Sequence, residues 1–85
     1  MSHPDFSSLV RRQILRILND CAGYLLPEPR LIEQVQLAVM PPPTTYEAQT
    51  EIYWLASQKM IVGVTPDLGG APKYRITDLG KTELV

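Results

Sequence analysis

The sequence has 85 residues, of which 45% are hydrophobic and 20% are charged, and its formal net charge is -1. This size and composition predict a single globular domain over residues 1–85, with residues 1–5 frayed and no room for a large cofactor pocket. The balanced charge argues against a strongly basic nucleic-acid binder. A membrane partner is not expected either, because no apolar run approaches the ~20 residues of a membrane span.

Two residue types bear on the compartment and on the chemistry. Cys21 is the single cysteine, which excludes an internal disulfide and is typical of a reducing compartment. The first residues do not resemble a secretory signal, so we expect a cytoplasmic protein of a bacterium or a phage. His3 is the single histidine and lies near the start of the sequence. We therefore expect no enzyme activity, no metal site and no cofactor.

The first half of the sequence predicts two helices joined by a short extended segment. Apolar residues at spacings of three and four predict the first helix: Phe6, Val10, Ile14, Ile17 and Cys21. Gly23 should end this helix, and Tyr24–Leu26 should pair with a later hairpin as a third strand. Pro29 suits the first turn of a second helix, which Pro41–Pro43 must end.

The second half predicts one helix that runs into a two-stranded hairpin. Thr44 and Glu47 form a Thr-x-x-Glu capping pattern that starts a third helix. A stretch rich in β-branched residues follows near Ile61, then a loop of prolines and glycines, and then the alternating strand Lys73–Thr77. Asp78 should cap a final short turn. The predicted fold class is mainly α with a small antiparallel β-sheet (α+β), in the order helix, strand, helix, helix, strand, strand.

Two stretches carry a resemblance to the winged helix-turn-helix superfamily, which covers nearly the whole sequence. Residues 52–61 resemble the end of the recognition helix and the start of the wing in bacterial regulators, with Lys59 in place of the usual glycine. Tyr74–Gly80 is similar to the wing-closing segment Tyr-x-Leu-Thr-x-x-Gly of the MarR and PadR regulators. The resemblance implies a DNA-binding transcriptional regulator or accessory factor.

In such a protein the third helix lies in the major groove of double-stranded DNA and the wing touches the backbone. The residues that the resemblance places as base readers are Thr45, Tyr46, Gln49, Thr50 and Tyr53. Glutamine pairs with adenine, while hydroxyl and aromatic groups contact phosphates or thymine methyls. Phosphate contacts are then expected from Arg30, Lys73 and Arg75.

The surface chemistry of the third helix leaves a second possibility open. Its outward face is expected to be aromatic and to lack Lys and Arg, with Glu47 and Glu51 beside it, and carboxylates weaken phosphate binding. Exposed aromatic residues are typical of protein interfaces. The alternative is therefore a protein-interaction module, with an interface made of Tyr53, Trp54 and Leu15.

Three further possibilities are compatible with the sequence. Trp54 has an alternative position, packed against the wing or the first helix. Leu15 and Leu37 lie out of phase with the apolar stripes of their helices, which allows a homodimer. An acidic third helix would also allow the domain to imitate or block a DNA-binding partner.

Overall fold

The chain begins with α1 (Pro4–Asp20), the amphipathic helix that the spacing of its apolar residues predicts. The structure is a computed structural model, and it describes residues 4–84 and the side chains of residues 6–84. The side chains fully buried on one side of α1 are Val10, Ile14 and Leu18. Ala22 (φ 53°) and Gly23 (φ 88°) then adopt left-handed backbone, so the predicted stop at Gly23 is confirmed.

A third strand pairs with the hairpin, as predicted, but of the predicted Tyr24–Leu26 only Leu26 belongs to it. β1 (Leu26–Pro27) pairs antiparallel with β3 (Lys73–Ile76), far along the chain. α2 (Glu28–Ala38) follows at once, with Pro29 in its first turn, where the missing N–H removes no helical hydrogen bond. The helix ends before Pro41–Pro43, because proline cannot continue it.

α3 (Thr45–Ser57) begins with the capping box that the sequence predicts. The hydroxyl of Thr44 accepts the backbone N–H of Glu47 at 3.0 Å, and the Glu47 carboxylate accepts the N–H of Thr44 at 2.9 Å. Two donors at the start of the helix are thereby satisfied. Its buried apolar residues are Ala48, Ile52 and Leu55.

α3 ends in a Schellman motif. The N–H of Met60 bonds to the carbonyl of Leu55 at 3.0 Å, and the N–H of Lys59 bonds to that of Ala56 at 3.1 Å. Such motifs place a left-handed residue, usually glycine, after the helix. Lys59 takes this conformation itself, with φ 63°. The departure from the usual glycine therefore leaves the turn in place, at roughly 1–2 kcal/mol of backbone strain.

β2 (Ile61–Val64) and β3 form an antiparallel hairpin, here called the wing, and β3 is the central strand of the order β1-β3-β2. Gly63 is opposite Tyr74 in the ladder. The Tyr74 ring fills the space that a side chain on Gly63 would need, since a Cβ there would lie 2.8 Å from Tyr74 Cε1. Residues 65–72 form the wing loop between the two strands.

The final turn is α4 (Asp78–Glu83), and its N-cap is Thr77, not Asp78 as predicted. The Thr77 hydroxyl accepts the N–H of Gly80 at 3.2 Å. It also lies within donating distance of two carbonyls, that of Lys59 at 2.7 Å and that of Met60 at 2.9 Å. Gly80 packs so closely on the Met60 carbonyl that a Cβ would collide with it. The Thr-x-x-Gly spacing of the wing-closing segment thus joins the wing to the end of α3.

The core lies between α1, α2, α3 and the inner face of the sheet. Leu15, predicted as a residue of a partner surface, is only 4% exposed, so that prediction is wrong. α4 packs against α1, and a helix covered by several elements buries more than one stripe. Leu37 is exposed, as its phase predicts.

The predicted fold class is confirmed. The described residues are mainly helical with a small three-stranded antiparallel sheet, and the predicted order of helices and strands is present. No helix in residues 4–84 is long and apolar enough to span a bilayer.

Candidate functional site

One flank of α3 faces α1, and its charges are paired there. Arg11 Nε donates to Glu51 Oε1 at 2.6 Å, the short distance of a charge-assisted hydrogen bond, and the side chain of Glu51 is 12% exposed. The guanidinium carbon of Arg11 lies 3.7 Å from the centroid of the Trp54 ring, in a cation–π contact. We call Arg11, Glu51 and Trp54 the α1 clamp.

The α1 clamp corrects the outward face that the sequence suggests. Glu51 is buried between the helices, and Trp54, expected as an exposed anchor, is covered on one side by Arg11 and remains 36% exposed. Positions three apart on a helix share a face, and α1 lies against the face that holds both residues. Glu47 is occupied by the capping box. Both carboxylates of α3 thus have a partner in the protein, although Glu47 remains exposed.

Four exposed residues, on the side of α3 away from its buried residues, form what we call the outer face: Tyr46, Thr50, Tyr53 and Ser57. All four are uncharged, and Tyr46 and Tyr53 are 77% and 52% exposed. The hydroxyls of Thr50 and Ser57 donate to carbonyls of their own helix, at 2.9 and 2.6 Å. Their oxygens keep acceptor capacity, and the exposed rings offer apolar surface.

Four of the five predicted readers line two different grooves of the surface. Tyr46 and Thr50 line a groove between α3 and the start of α1, opposite Phe6. Thr45 and Gln49 line a shallow groove between α3 and α2. The α2 wall of that second groove includes the carboxylates of Glu28 and Glu33. The structure therefore places Tyr46 and Thr50 beside α1, and it places Thr45 and Gln49 beside a more acidic wall.

A buried hydrogen bond that the sequence did not predict connects α2 to the wing. The Tyr74 hydroxyl donates to Glu28 Oε1 at 3.0 Å, and both residues are buried. Burial, and then the bond to the Glu28 carboxylate, raise the pKa of Tyr74. Partial burial and the same carboxylate raise the pKa of Tyr53, so Glu28 lies close to the outer face as well.

Glu28 could have been recognised from two signals. A carboxylate in the first turn of a helix is stabilised by the helix dipole, and Glu28 directly precedes Pro29 at the start of α2. Tyr74 lies on the inward side of an alternating strand, where a buried hydroxyl requires a partner. Neither signal specifies that the two residues meet.

The predicted phosphate contacts are all exposed. Lys73 and Arg75 alternate with buried residues along β3, so both lie on the solvent-exposed side of the sheet. Arg30 is in the first turn of α2, which begins directly after Pro27, the register partner of Lys73. At the tip of the wing, Leu68 is fully exposed and follows Asp67. The cations of the wing therefore sit on its strands, and its tip is apolar and acidic.

Within residues 4–84, no three His, Cys, Asp or Glu side chains gather as a metal site would require. His3 lies outside the described residues, and Cys21 is a partly buried free thiol. Comparison with protein-family models, with characterised proteins and with solved structures finds no match to this chain. Its function is therefore inferred from its own residues.

Proposed function

We propose that this chain is a winged helix-turn-helix protein that binds double-stranded DNA as a transcriptional regulator or accessory factor. In this proposal α2 and α3 form the helix-turn-helix, α3 lies in the major groove, and the wing meets the sugar-phosphate backbone. The order of elements and the Thr77 to Gly80 joint between wing and α3 support this assignment.

The observation that carries the proposal is the uncharged outer face of α3. A groove-facing helix with carboxylates on its outer face would be repelled by phosphates, but Glu51 is buried and paired with Arg11. Glu47 is exposed, and it caps its own helix and lies on the flank toward α1. What remains is a surface of hydroxyls and two exposed tyrosines. Such groups hydrogen-bond to phosphates and base edges and contact thymine methyls.

The exposed cations Arg30, Lys73 and Arg75 supply the electrostatic part of the proposal. Each phosphate that is neutralised releases counterions, so the affinity falls with salt by a slope of about 0.9 per contact. The net charge of -1 predicts weak nonspecific binding, because few phosphates would be contacted at once.

A salt series of DNA binding tests the proposal. Binding of a labelled mixed-sequence duplex is followed by fluorescence anisotropy from low to physiological salt, for the wild type and for Lys73→Ala with Arg75→Ala. We expect the double variant to bind more weakly and its salt slope to be smaller by about 2, one unit for each lost contact. A matched control is Arg12→Ala with Lys81→Ala, which removes two exposed cations outside the wing and should leave the slope unchanged.

Variants of the outer face distinguish contacts with bases, which give sequence specificity, from contacts with phosphates, which position the protein. Tyr46→Ala should weaken binding to a preferred site, selected from a random duplex library, while the salt slope stays that of the wild type. Absence of binding at the lowest salt would refute the proposal. Equal slopes for the wild type and the wing variant would refute the role of the wing.

The fully exposed Leu68 favours a second candidate function, a protein-interaction module. A wing that contacts DNA with its tip usually benefits from cations there, whereas Asp67 and Leu68 occupy the tip in this chain. Exposed aromatic and apolar residues are typical of protein interfaces. In this candidate, Tyr53 and Leu68 are the anchors. Leu15 is removed from the interface by its burial, whereas Trp54 is covered by Arg11 on one side and remains partly exposed.

The same variants distinguish the two candidates. A Leu68→Ser variant should bind DNA like the wild type if the strands of the wing make the contacts. If instead the chain binds no DNA but retains a protein partner that Leu68→Ser or Tyr53→Ala releases, the second candidate holds. The third possibility, an acidic imitation of DNA by α3, loses its basis because Glu51 is buried and paired.

A further inference from the structure

Glu28 is a buried carboxylate that is bound by a hydroxyl group and not by a cation. Two carboxylates are buried in the described part of the chain, those of Glu28 and Glu51. Glu51 is paired with Arg11, which is the only salt bridge among residues 6–84. Glu28 instead accepts the hydroxyl of Tyr74 at 3.0 Å. Burial of a charge without a cation is costly, and the dipole of α2 offsets only part of that cost.

The side of Glu28 that faces α3 lies close to Tyr53. Glu28 and Gln49 line the same groove between α2 and α3, and Tyr53 follows Gln49 by one turn on that side of the helix. Partial burial, and then the Glu28 carboxylate, raise the pKa of Tyr53. A carboxylate accepts hydrogen bonds on both oxygens, whereas a glutamine accepts on one. Glu28 is therefore suited to a place between a tyrosine of the wing and a tyrosine of the outer face.

Glu28 also binds the wing through its backbone. Its N–H donates to the carbonyl of Pro72 at 2.9 Å, while its carboxylate accepts from Tyr74. These two residues flank Lys73 in the sequence, and Arg75 follows directly. The strand that carries the cations of the wing is thus held at two points by the first residue of α2.

We propose that Glu28 is a positioning residue for DNA binding, an inference that rests on the proposed function. Glu28 fixes the strand of Lys73 and Arg75 relative to Tyr53, so that phosphate contacts and base contacts form on one duplex at the same time. Phosphate contacts set the register of a protein on DNA, and base contacts read the sequence. Holding both sets in place before binding removes the cost of ordering them in the complex.

The charge of Glu28 separates positioning from simple electrostatics. Removal of a carboxylate near the DNA surface should strengthen binding to every duplex, because phosphates repel it. Removal of a positioning residue should instead weaken binding to the preferred site, while binding to other sequences stays at least as strong. The two roles therefore predict opposite changes in the affinity for the preferred site.

The test measures the ratio of two dissociation constants by fluorescence anisotropy, the Kd for a mixed-sequence duplex over the Kd for the preferred site selected from the random library. Partial unfolding raises both apparent Kd values by the same factor, so it leaves this ratio unchanged. Glu28→Ala should lower the ratio about fivefold or more, which is the discrimination of one good base contact. The matched control is Glu33→Ala, which removes an exposed carboxylate of the same groove and should keep the ratio of the wild type.

Tyr74→Phe tests whether Glu28 acts through the wing. The ring stays and only the hydroxyl is lost, so this variant should fold, and it should lower the ratio about twofold or more. In the Glu28→Ala background the same change should have no further effect, because the bond that it removes is already absent.

The outcomes distinguish this role of Glu28 from the proposed function. A wild type that binds no DNA refutes both. If the wild type selects a preferred site, the role of Glu28 alone is refuted when Glu28→Ala keeps the ratio or binds that site more tightly. Failure to select a preferred site, or an effect of Tyr74→Phe that persists in Glu28→Ala, has the same consequence. Because Tyr74→Phe is compared with the wild type, an unchanged ratio in that variant overturns the role even if Glu28→Ala does not fold.

Discussion

The two sides of α3 differ in how their polar groups are used. On the side of α1, the charge of Glu51 is satisfied by Arg11, and the ring of Trp54 is covered by the same guanidinium. On the outer face, Tyr46 and Tyr53 are exposed and contact solvent. The charged residues of the helix thus serve the fold, and the uncharged ones are left for a partner. Of the two carboxylates of this helix, Glu51 is buried and paired, whereas Glu47 is exposed and caps the first turn.

The largest expected effect lies at the end of α3 that is fixed to the wing. Gly80→Ala should lower the free energy of unfolding by about 3 kcal/mol or more, because its Cβ would collide with the carbonyl of Met60. Urea unfolding measures this change. Lys81→Ala, at the exposed neighbouring position, is the control and should stay within about 0.5 kcal/mol of the wild type. Equal stability of the two variants would show that Gly80 is not tightly packed against the carbonyl of Met60.

The α1 clamp should give the next largest effect. Arg11→Ala leaves the buried Glu51 carboxylate without its partner and should cost about 2 kcal/mol, less than a fully buried pair because Arg11 is partly exposed. Arg12→Ala removes an exposed neighbouring arginine and should change stability by less than about 0.5 kcal/mol. Thermal unfolding compares the two variants. A similar small change for both would contradict the division of α3 into a structural and a free side.

Tyr74 tests the connection between α2 and the wing. Tyr74→Phe removes the donor to the buried Glu28 carboxylate and should cost about 1 kcal/mol at neutral pH. Because the pKa of Tyr74 is raised in the folded protein, the unfolded chain loses this proton first as the pH rises above about 10. Stability should therefore fall above that pH, and it should be fully present below it.

Comparison of Tyr74→Phe with the wild type shows how much of this pH dependence comes from the Tyr74 hydroxyl. Stability is measured by urea unfolding between about pH 8 and 11, around the ordinary tyrosine pKa. The loss on going to high pH should be smaller for Tyr74→Phe than for the wild type. Parallel curves for the two proteins would show that the Tyr74 hydroxyl does not contribute. Tyr53→Phe is the control. The pKa of Tyr53 is also raised, but its side chain is half-exposed, so this variant should change the pH dependence less than Tyr74→Phe does.

The smallest effect on stability is expected on the outer face. Tyr46→Ala removes a side chain that is 77% exposed, so the free energy of unfolding should change by no more than about 0.5 kcal/mol. Chemical denaturation checks this value. A clear loss of stability would mean that Tyr46 packs against the start of α1 and belongs to the structural side of α3.

Much of the fold follows from local signals in the sequence. The capping box at Thr44 and Glu47, the prolines after α2 and the alternation along β3 each specify a boundary or a face without knowledge of the rest. These signals are short-range, so a single sequence contains them in full. The predicted pairing of the segment near Leu26 with the hairpin also holds, as β1.

The errors in the sequence-based predictions arise where contacts between elements distant in sequence determine which residues are buried. A helical wheel separates the core side of α3 from the other sides, but it does not say which flank α1 will cover. The sequence therefore predicts Glu51 beside the outward face and leaves two positions open for Trp54, whereas Arg11, forty positions before Glu51, contacts both. Leu15 is buried for the same reason, because α4 packs on its side of α1. Residues at the boundary of an apolar stripe are the ones that tertiary packing reassigns.

The position of Trp54 has a practical consequence. It is the single tryptophan of the chain, and it lies where α1 meets α3, beneath the guanidinium of Arg11. Its fluorescence should therefore change when the two helices separate. The intrinsic emission of the unlabelled protein would report this helix contact in unfolding experiments, whereas ligands bound on the outer face should alter it far less.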